Sequence, residues 1–412
     1  MTEQKCKGAR DLLPQDTERF RFIEDTFRRS CLSWSYQEVK TPTLEYLHLF
    51  TAAGTLTPSM LSKVYSFLDW DGWSGERVAL RPDGTIPVAR LFIENLAQQE
   101  IARLFYVTNV FIFEETGKKN REKWQCGAEF LGNFKPTADI ELILLAIEVI
   151  RSLRIGNVEL KLSHAGLLKA LIQELNLAPE EKHALLDQIQ DGNWQTLTQT
   201  KTSNADINKM LSLLLDLKGK SSGFLENLKA LPQISAESKS QLEKFMEITS
   251  LLDMLGCRYQ IDITSTKGFE YYTGLCFQLS VNQERVGSGG RYDNLIPLIG
   301  GSNTPACGFA LYLDPLIDMI PPKAQENTEK KVLIRIKSIT PNVVKTGFQI
   351  AQSFREVGYI AELDFNNRKP NYRWVITVED KLSTFTITDQ TKNLNKELSS
   401  ISDAIKMLGG SV

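Results

Sequence analysis

Side chains that could bind a small cationic ligand lie in two stretches of the sequence. Asp83 and Thr85 stand on a tight Arg-Pro-Asp-Gly-Thr turn at the end of a predicted strand. Gln125 and Glu129 are four residues apart on another predicted strand, so both side chains point to the same face. The oxygens of Asp83, Thr85 and Gln125 suit an α-ammonium group, whereas the Glu129 carboxylate suits an imidazole or a similar ring donor. The alternative for each residue is an exposed polar position on a strand.

A pair of adjacent tyrosines, Tyr271 and Tyr272, could add hydroxyl groups to this site. A strand is predicted directly after them, and Val281-Asn-Gln-Glu can turn the chain back. Three glycines then follow within four positions, and closely spaced glycines let the backbone approach a ligand or another strand. These glycines are Gly287, Gly289 and Gly290. The stretch predicts either a ligand pocket or a plain hairpin with a glycine-rich bend.

Composition excludes several other classes of protein. The 412 residues are 42% hydrophobic and 24% charged, as in ordinary globular proteins, and the net charge of -2 does not favour nucleic acid. The six cysteines form no Cys-x-x-Cys pair and only three histidines exist, so we expect no metal site. We expect reduced thiols, a cytoplasmic location, and neither an export signal nor a membrane span. No phosphate-loop, dinucleotide or Ser/His/Asp pattern is present, and we expect no cofactor.

The order of predicted elements indicates an α+β protein with two domains. Residues 1–322 read as a strand-rich core that is interrupted by amphipathic helices over about 164–256. A polar linker is predicted over 323–331. Residues 332–412 read as a small α/β domain that ends in a helix over about 393–408.

Five motifs, in order across about residues 1–320, resemble those of histidyl-tRNA synthetase. The resemblance implies a class II aminoacyl-tRNA synthetase-like core, built on an antiparallel sheet, that forms a dimer around Pro42. It also implies that 164–256 is a helical insertion and that the C-terminal domain is like the anticodon-binding one. The motifs are Gly8-Ala-Arg-Asp-Leu-Leu-Pro14, Leu80-Arg-Pro-Asp-Gly-Thr85, Gln125-Cys-Gly-Ala-Glu-Phe-Leu-Gly132, Lys267-Gly-Phe-Glu-Tyr-Tyr-Thr-Gly274 and Gly289-Gly-Arg-Tyr-Asp-Asn-Leu295.

Three positions depart from the family where it uses arginines for adenylate chemistry. Ile112 follows Phe111 where the family has an arginine, and Pro315 replaces the arginine that holds ATP. Lys267 replaces a third arginine with a point charge that lacks the bidentate fork. Tyr312 also stands where the family has glycine. Because adenylate formation depends on stabilising phosphate charge, and one such donor is worth about 10² to 10³ in rate, we expect no catalytic residues.

The amino-acid side of the family's site is matched more closely. The resemblance implies a histidine-binding set in which Asp83 is a shorter carboxylate than the family's glutamate. The set comprises Asp83, Thr85, Gln125, Glu129, Lys267, Tyr271 and Tyr272. The site is thus expected to hold histidine without activating it.

This profile is similar to that of synthetase paralogues that are regulatory subunits of ATP phosphoribosyltransferase, the enzyme of the first step of histidine biosynthesis. The resemblance implies a non-catalytic subunit that a short-form catalytic subunit requires, in a hetero-octamer that responds allosterically to histidine. The alternatives are a divergent active histidyl-tRNA synthetase and a paralogue with another target.

The C-terminal domain also departs from the anticodon-binding domain. Only eight residues separate Phe365 from Trp374, too few for the helix that the family has there. Residues 330–412 carry 13 Lys and Arg against 8 Asp and Glu. That mild basic excess keeps RNA contact open, but a solvated surface is the reading we favour.

Overall fold

A computed structural model of the chain describes most of the sequence. The described residues are 5–54, 61–70, 75–117, 119–175, 177–190, 196, 208–209, 212, 225–226, 229, 235–263, 272–321, 330–366, 372–380 and 384–409. The chain divides into two compact units, Met1–Pro321 and Pro322–Val412. Within the described ranges, no helix combines the length and the apolar character that crossing a membrane requires.

The first unit is built on an eight-stranded sheet and a small three-stranded sheet. The large sheet comprises β1 (Gln37–Glu38), β5 (Ala102–Phe111), β6 (Glu122–Leu131), β7 (Val158–His164), β8 (Gln260–Ile261), β9 (Leu275–Val281), β10 (Glu284–Arg291) and β11 (Ala306–Tyr312). The small sheet comprises β2 (Leu44–Tyr46), β3 (Ser66–Trp70) and β4 (Gly75–Leu80). The large sheet has the order β1-β5-β6-β11-β10-β9-β7-β8 and is antiparallel except at its two short edge strands. The antiparallel core that the sequence predicts is confirmed.

Helices accompany both sheets of the first unit. They are α1 (Pro14–Ser33), α2 (Leu47–Ala52), α3 (Thr85–Asn95), α4 (Pro136–Leu153), α5 (Ala165–Glu174), α6 (Pro179–Gln190), α7 (Ala236–Met254), α8 (Leu295–Leu298) and α9 (Leu313–Met319). The apolar faces of α1, α4 and α9 form a core with one face of the large sheet, on which Phe105, Phe130 and Phe309 lie. The alternation of side chains along each strand puts the polar residues on the opposite face.

The glycine-rich stretch forms a strand in the middle of the large sheet, so its interpretation as a bend is wrong. The turn lies earlier, as predicted, at Asn282 and Gln283, whose φ values of 51° and 68° are both positive. Position 290 in β10 requires glycine because the Tyr272 ring packs directly against it. A Cβ there would stand 2.8 Å from a Tyr272 ring carbon. The strand needs glycine for close packing and not for turning.

The predicted insertion is described in part. Its first two helices are α5 and α6, and its last is α7, which packs beside α4 and α5. His164, which we expected in a helix, is the last residue of β7, and its Nδ1 accepts a hydrogen bond from the Leu167 N–H at 3.1 Å. Burial lowers the pKa of His164 to about 3, so this ring is a neutral helix cap. Most of the helices predicted over 205–218 and 223–231 lie outside the described residues.

In its described residues, the second unit is a five-stranded sheet accompanied by two helices. Its elements are β12 (Lys331–Ile336), α10 (Pro341–Glu356), β13 (Ile360–Asp364), β14 (Trp374–Val378), β15 (Phe385–Asp389), β16 (Leu394–Leu398) and α11 (Ile401–Met407). The final helix predicted over 393–408 is wrong in its first half, where β16 pairs with β15. Asp389 accepts hydrogen bonds from the Thr391 and Lys392 N–H groups and so fixes a hairpin turn. Asn393 completes that turn with a φ of 47°.

Candidate functional site

Glu129 is the centre of a buried polar cluster on the polar face of the large sheet. The Tyr106 hydroxyl donates a hydrogen bond to Oε1 at 3.1 Å, and the Tyr292 hydroxyl donates to Oε2. Glu129 is only 1% exposed. Burial raises the pKa of Glu129 to about 8, although the hydroxyl donors oppose the shift. The cluster therefore holds a carboxyl group that is mainly protonated at neutral pH and can exchange its proton near pH 8.

Glycines on neighbouring strands make the space for this cluster. Gly308 lies opposite Glu129 in β11, and a Cβ there would stand 1.6 Å from Glu129 Oε2. The Tyr106 ring lies between Gly127 and Gly84. A Cβ would approach ring atoms to 2.2 Å at the first glycine and 2.6 Å at the second. Any side chain at these three glycine positions would collide with Glu129 or Tyr106, so the cluster requires glycine there.

Asp83 and Thr85 join the cluster from the start of α3. Asp83 Oδ1 accepts a hydrogen bond from the Ile86 N–H at 2.7 Å, so this carboxylate satisfies the free N–H groups of the helix. Burial raises the pKa of Asp83, and the backbone donors oppose the shift. The Thr85 hydroxyl lies 3.4 Å from the Tyr106 hydroxyl. Asp83 therefore serves local structure as well as any ligand.

Gln125 and Tyr272 flank Glu129 along and across the sheet. Gln125 shares the face of Glu129 in β6, as the sequence predicts, and lies opposite Tyr312 in β11. Burial raises the pKa of Tyr272 well above its ordinary value. The backbone carbonyl of Tyr272 accepts a hydrogen bond from Lys169 Nζ at 2.8 Å.

Five of the seven predicted site residues thus lie on or beside one face of the sheet. The other two, Lys267 and Tyr271, lie outside the described residues. That the set binds histidine stays a prediction.

A buried arginine, Arg291, fixes the backbone next to the cluster. Arg291 Nη2 lies 2.6 Å from Asp139 Oδ2, and both side chains are at least 90% buried. The guanidinium also donates to the backbone carbonyls of Asn133 and Lys135 at 3.0 and 3.2 Å. These bonds tie β10 to the start of α4. Because Tyr292 directly follows Arg291, they also set the position of the hydroxyl that donates to Glu129.

Two uncharged residues, Ile112 and Pro315, lie just beyond the ends of β5 and β11. Ile112 follows β5, and its N–H donates to the Arg121 carbonyl at 2.8 Å. Pro315 lies in the first turn of α9. The Tyr312 side chain lies on the polar face, where its hydroxyl is 2.5 Å from Ser288 Oγ. A tyrosine therefore occupies surface that a glycine would leave open.

A cleft of about 440 Å³ lies at the edge of the large sheet beside β1. Its lining includes Phe20, Trp124 and Tyr106 of the Glu129 cluster, but none of the seven predicted site residues. Among the described residues, no group of three or more His, Cys, Asp or Glu side chains has a metal-binding arrangement.

Sequence reasoning missed the two tyrosines that donate to Glu129. Tyr292 lies within the Gly-Gly-Arg-Tyr-Asp motif, which marks it as a candidate. Its contact with Glu129 joins residues 163 apart in the sequence, and no local pattern predicts such a contact. Tyr106 lies in a strand that reads as apolar. Only its pairing opposite Gly127 shows that its ring faces Glu129.

Comparison with known proteins agrees with this geometry. A family model described as histidyl-tRNA synthetase matches residues 8–316. An ATP phosphoribosyltransferase regulatory subunit of Dehalococcoides mccartyi is 48% identical over 409 residues, which is 98% of both chains. The chain belongs to the histidyl-tRNA synthetase family, in its branch of ATP phosphoribosyltransferase regulatory subunits.

More distant relatives of this regulatory-subunit branch are synthetases. A histidine–tRNA ligase of Methanococcus maripaludis is 31% identical over 379 residues, covering 89% of this chain and 88% of that one. A solved structure from Bacillus halodurans C, titled as an ATP phosphoribosyltransferase regulatory subunit/histidyl-tRNA synthetase, superposes with a TM-score of 0.77. It is 24% identical and covers 92% of this chain and 98% of that one, so it supports the fold alone.

Proposed function

We propose that this chain is a non-catalytic regulatory subunit that a short-form ATP phosphoribosyltransferase requires, and that it responds to histidine. The observation that carries the proposal is the contrast within one site. The acceptors suited to an amino acid and an imidazole converge at Glu129, whereas three arginine positions of the synthetase family carry Ile112, Lys267 and Pro315. A site of this kind binds an amino acid without activating it.

Charge supports the loss of adenylate formation. A transferring phosphoryl group needs preorganised cations, and each lost donor costs about 10² to 10³ in rate. Ile112 and Pro315 supply no cation, and Lys267 supplies one without a bidentate fork. Tyr312 adds bulk on the polar face, where its hydroxyl is bonded to Ser288. We therefore expect no histidine-dependent exchange of pyrophosphate into ATP.

The small sheet supports self-association of the core, which we propose occurs around Pro42 within a hetero-octamer. Leu44, Tyr46 and Phe67 lie on one face of this sheet, since Tyr46 and Phe67 both lie opposite Val78. They are 47%, 50% and 47% exposed. Contiguous exposed apolar side chains are typical of interaction surfaces.

The test is the activity of a short-form catalytic subunit with and without this chain. We expect ATP phosphoribosyltransferase activity to require the chain, and the purified chain to show no histidine-dependent pyrophosphate exchange. Measurable exchange would identify an active synthetase instead. A catalytic subunit that is equally active alone would leave the chain with a different target.

Histidine sensing has its own test. We expect Glu129→Ala and Tyr272→Phe to weaken histidine binding, the first by about tenfold, since leaving a buried hydrogen-bonding group of the ligand without its partner costs about 1–3 kcal/mol. Glu180→Ala is the control, because Glu180 is an exposed carboxylate in α6, away from the sheet. Regulation requires that histidine bind two states of the assembly differently. If both variants keep wild-type affinity and inhibition, histidine binds elsewhere, for example to the catalytic subunit.

A further inference from the structure

Arg285 is a cation on the polar face, and it has no part in the site described above. It lies at the start of β10, directly before a bulge in the pairing of β10 with β9. Its Nε is buried and has no hydrogen-bond partner. Among the residues that the structure describes, no carboxylate forms an ion pair with it. A buried donor without a partner is costly, so this guanidinium is a candidate for binding an acceptor on a ligand.

Strand pairing places Arg285 on the same face as Glu129. Arg285 lies opposite Ser280, which shares its face of β9 with Gln278, and Gln278 lies opposite Ser288. Ser288 in turn contacts the Tyr312 hydroxyl on that face. The guanidinium carbon of Arg285 is 5.7 Å from the centre of the Tyr312 ring. Arg285 therefore reaches over β11 toward the strand that carries Glu129.

Tyr272 lies on the same face of the sheet as Arg285 and Glu129. Its ring covers Gly290, which is in register with Gly308 and so with Glu129. Both Glu129 and Arg285 act on the Tyr272 hydroxyl: burial raises its pKa most, Glu129 adds to the rise, and Arg285 opposes it. One tyrosine hydroxyl is thus within electrostatic reach of both an acid and a cation.

The separation suits a small amino acid. Arg285 and Glu129 are two strands apart and four to five residues apart along the strands, which amounts to roughly 17 Å between their Cα atoms. An arginine, a glutamate and one small zwitterion can bridge that distance together. The guanidinium fork matches a carboxylate in geometry and charge.

We propose that Arg285 binds the carboxylate of histidine while the imidazole lies at Glu129. The proposal rests on the proposed function and adds a specific residue to it. Arg285 would then supply the carboxylate contact from β10, on the same face of the sheet as Glu129. It would not restore adenylate chemistry, because the positions of Ile112 and Pro315 stay without charge.

The experiment compares histidine with histamine, which lacks only the carboxylate, by titration calorimetry on the full chain. We expect the wild-type chain to prefer histidine by about tenfold or more, as for a charge-assisted bidentate pair. In Arg285→Gln, histidine affinity should fall to that of histamine, while histamine affinity changes less than twofold. Arg285→Lys should keep part of the preference. Arg258→Gln is the control, because Arg258 is an exposed arginine.

The outcomes separate the two proposals. If the wild-type chain binds neither ligand, the proposed histidine response fails, and this inference fails with it. If the wild-type chain binds histidine and the preference survives in Arg285→Gln, only the inference is wrong. Loss of both ligands in both Arg285 variants would make Arg285 a structural residue and would also overturn it. A fall in ATP binding with unchanged histidine binding would assign Arg285 to a phosphate and reject the carboxylate.

Discussion

The two ends of the polar face of the large sheet differ in how tightly the fold fixes them. At one end, Glu129 is buried, hydrogen-bonded to two tyrosines and packed against a glycine. At the other end, Tyr312 has one hydroxyl contact and Arg285 has a buried nitrogen without a partner. A side chain at the first end cannot change without disturbing the core. The second end can exchange its side chains at little structural cost, so the two ends can change independently of each other.

The largest expected effect is on the support of the Glu129 end. Arg291→Met should lower the free energy of unfolding by about 3–5 kcal/mol, because it leaves Asp139 buried without its partner. Urea denaturation measures this change. Arg21→Met is the matched control, since Arg21 forms an ion pair with Glu24 while its side chain is 67% exposed, and such pairs are worth at most about 1 kcal/mol. Equal effects of the two variants would contradict a special role for the buried pair.

The next effect concerns the space beside Glu129. Gly308→Ala should destabilise the chain by about 1–3 kcal/mol and weaken histidine binding, because the new Cβ meets Glu129 Oε2. The second substitution Glu129→Ala should relieve part of the destabilisation, which a double-mutant cycle in urea detects. Strict additivity of the two substitutions would show that the glycine is not required by Glu129.

A pH dependence of stability also originates at the Glu129 end. The pKa of Glu129 is 4.5 in the unfolded chain and about 8 in the folded chain. Between these pH values, the folded chain keeps a proton that the unfolded chain releases. The contribution of Glu129 to stability is therefore fully present below about pH 4.5 and is lost as pH rises toward 8, by up to about 1.4 kcal/mol per pH unit. Glu129→Gln should flatten the difference in stability between pH 5 and pH 8. Parallel curves for wild type and variant would contradict the raised pKa.

The smallest effect is expected at the far end. Tyr312→Phe removes one hydroxyl contact to Ser288 and should cost about 0.5–1.5 kcal/mol in stability. We expect it to produce no pyrophosphate exchange, since it restores no cation. Thermal unfolding and an exchange assay measure the two results. A cost comparable to that of Arg291→Met would show that both ends are fixed equally.

The sequence predicts much of the frame of this site, for local reasons. Period-two alternation correctly places Gln125 and Glu129 on one face, and the Val281-Asn-Gln-Glu turn is correct because its signal is contained in four residues. The glycines of β10 mislead because their requirement comes from the Tyr272 ring and from neighbouring strands, which no local pattern reveals. Tyr106 and Tyr292 are missed for the same reason, since their contact with Glu129 depends on strand pairing. The first half of the predicted final helix is instead the strand β16, because the turn that Asp389 fixes returns the chain to pair with β15.

The position of Tyr106 has a mechanical consequence. Its ring is clamped between Gly84, next to the first residue of α3, and Gly127 in the large sheet. On α3, Arg90 forms two hydrogen bonds with the Glu45 carboxylate, at 2.8 and 2.9 Å. Glu45 lies in β2 between the exposed Leu44 and Tyr46. A displacement of the Tyr106 ring would therefore be passed through α3 to β2, the strand that carries the exposed apolar side chains.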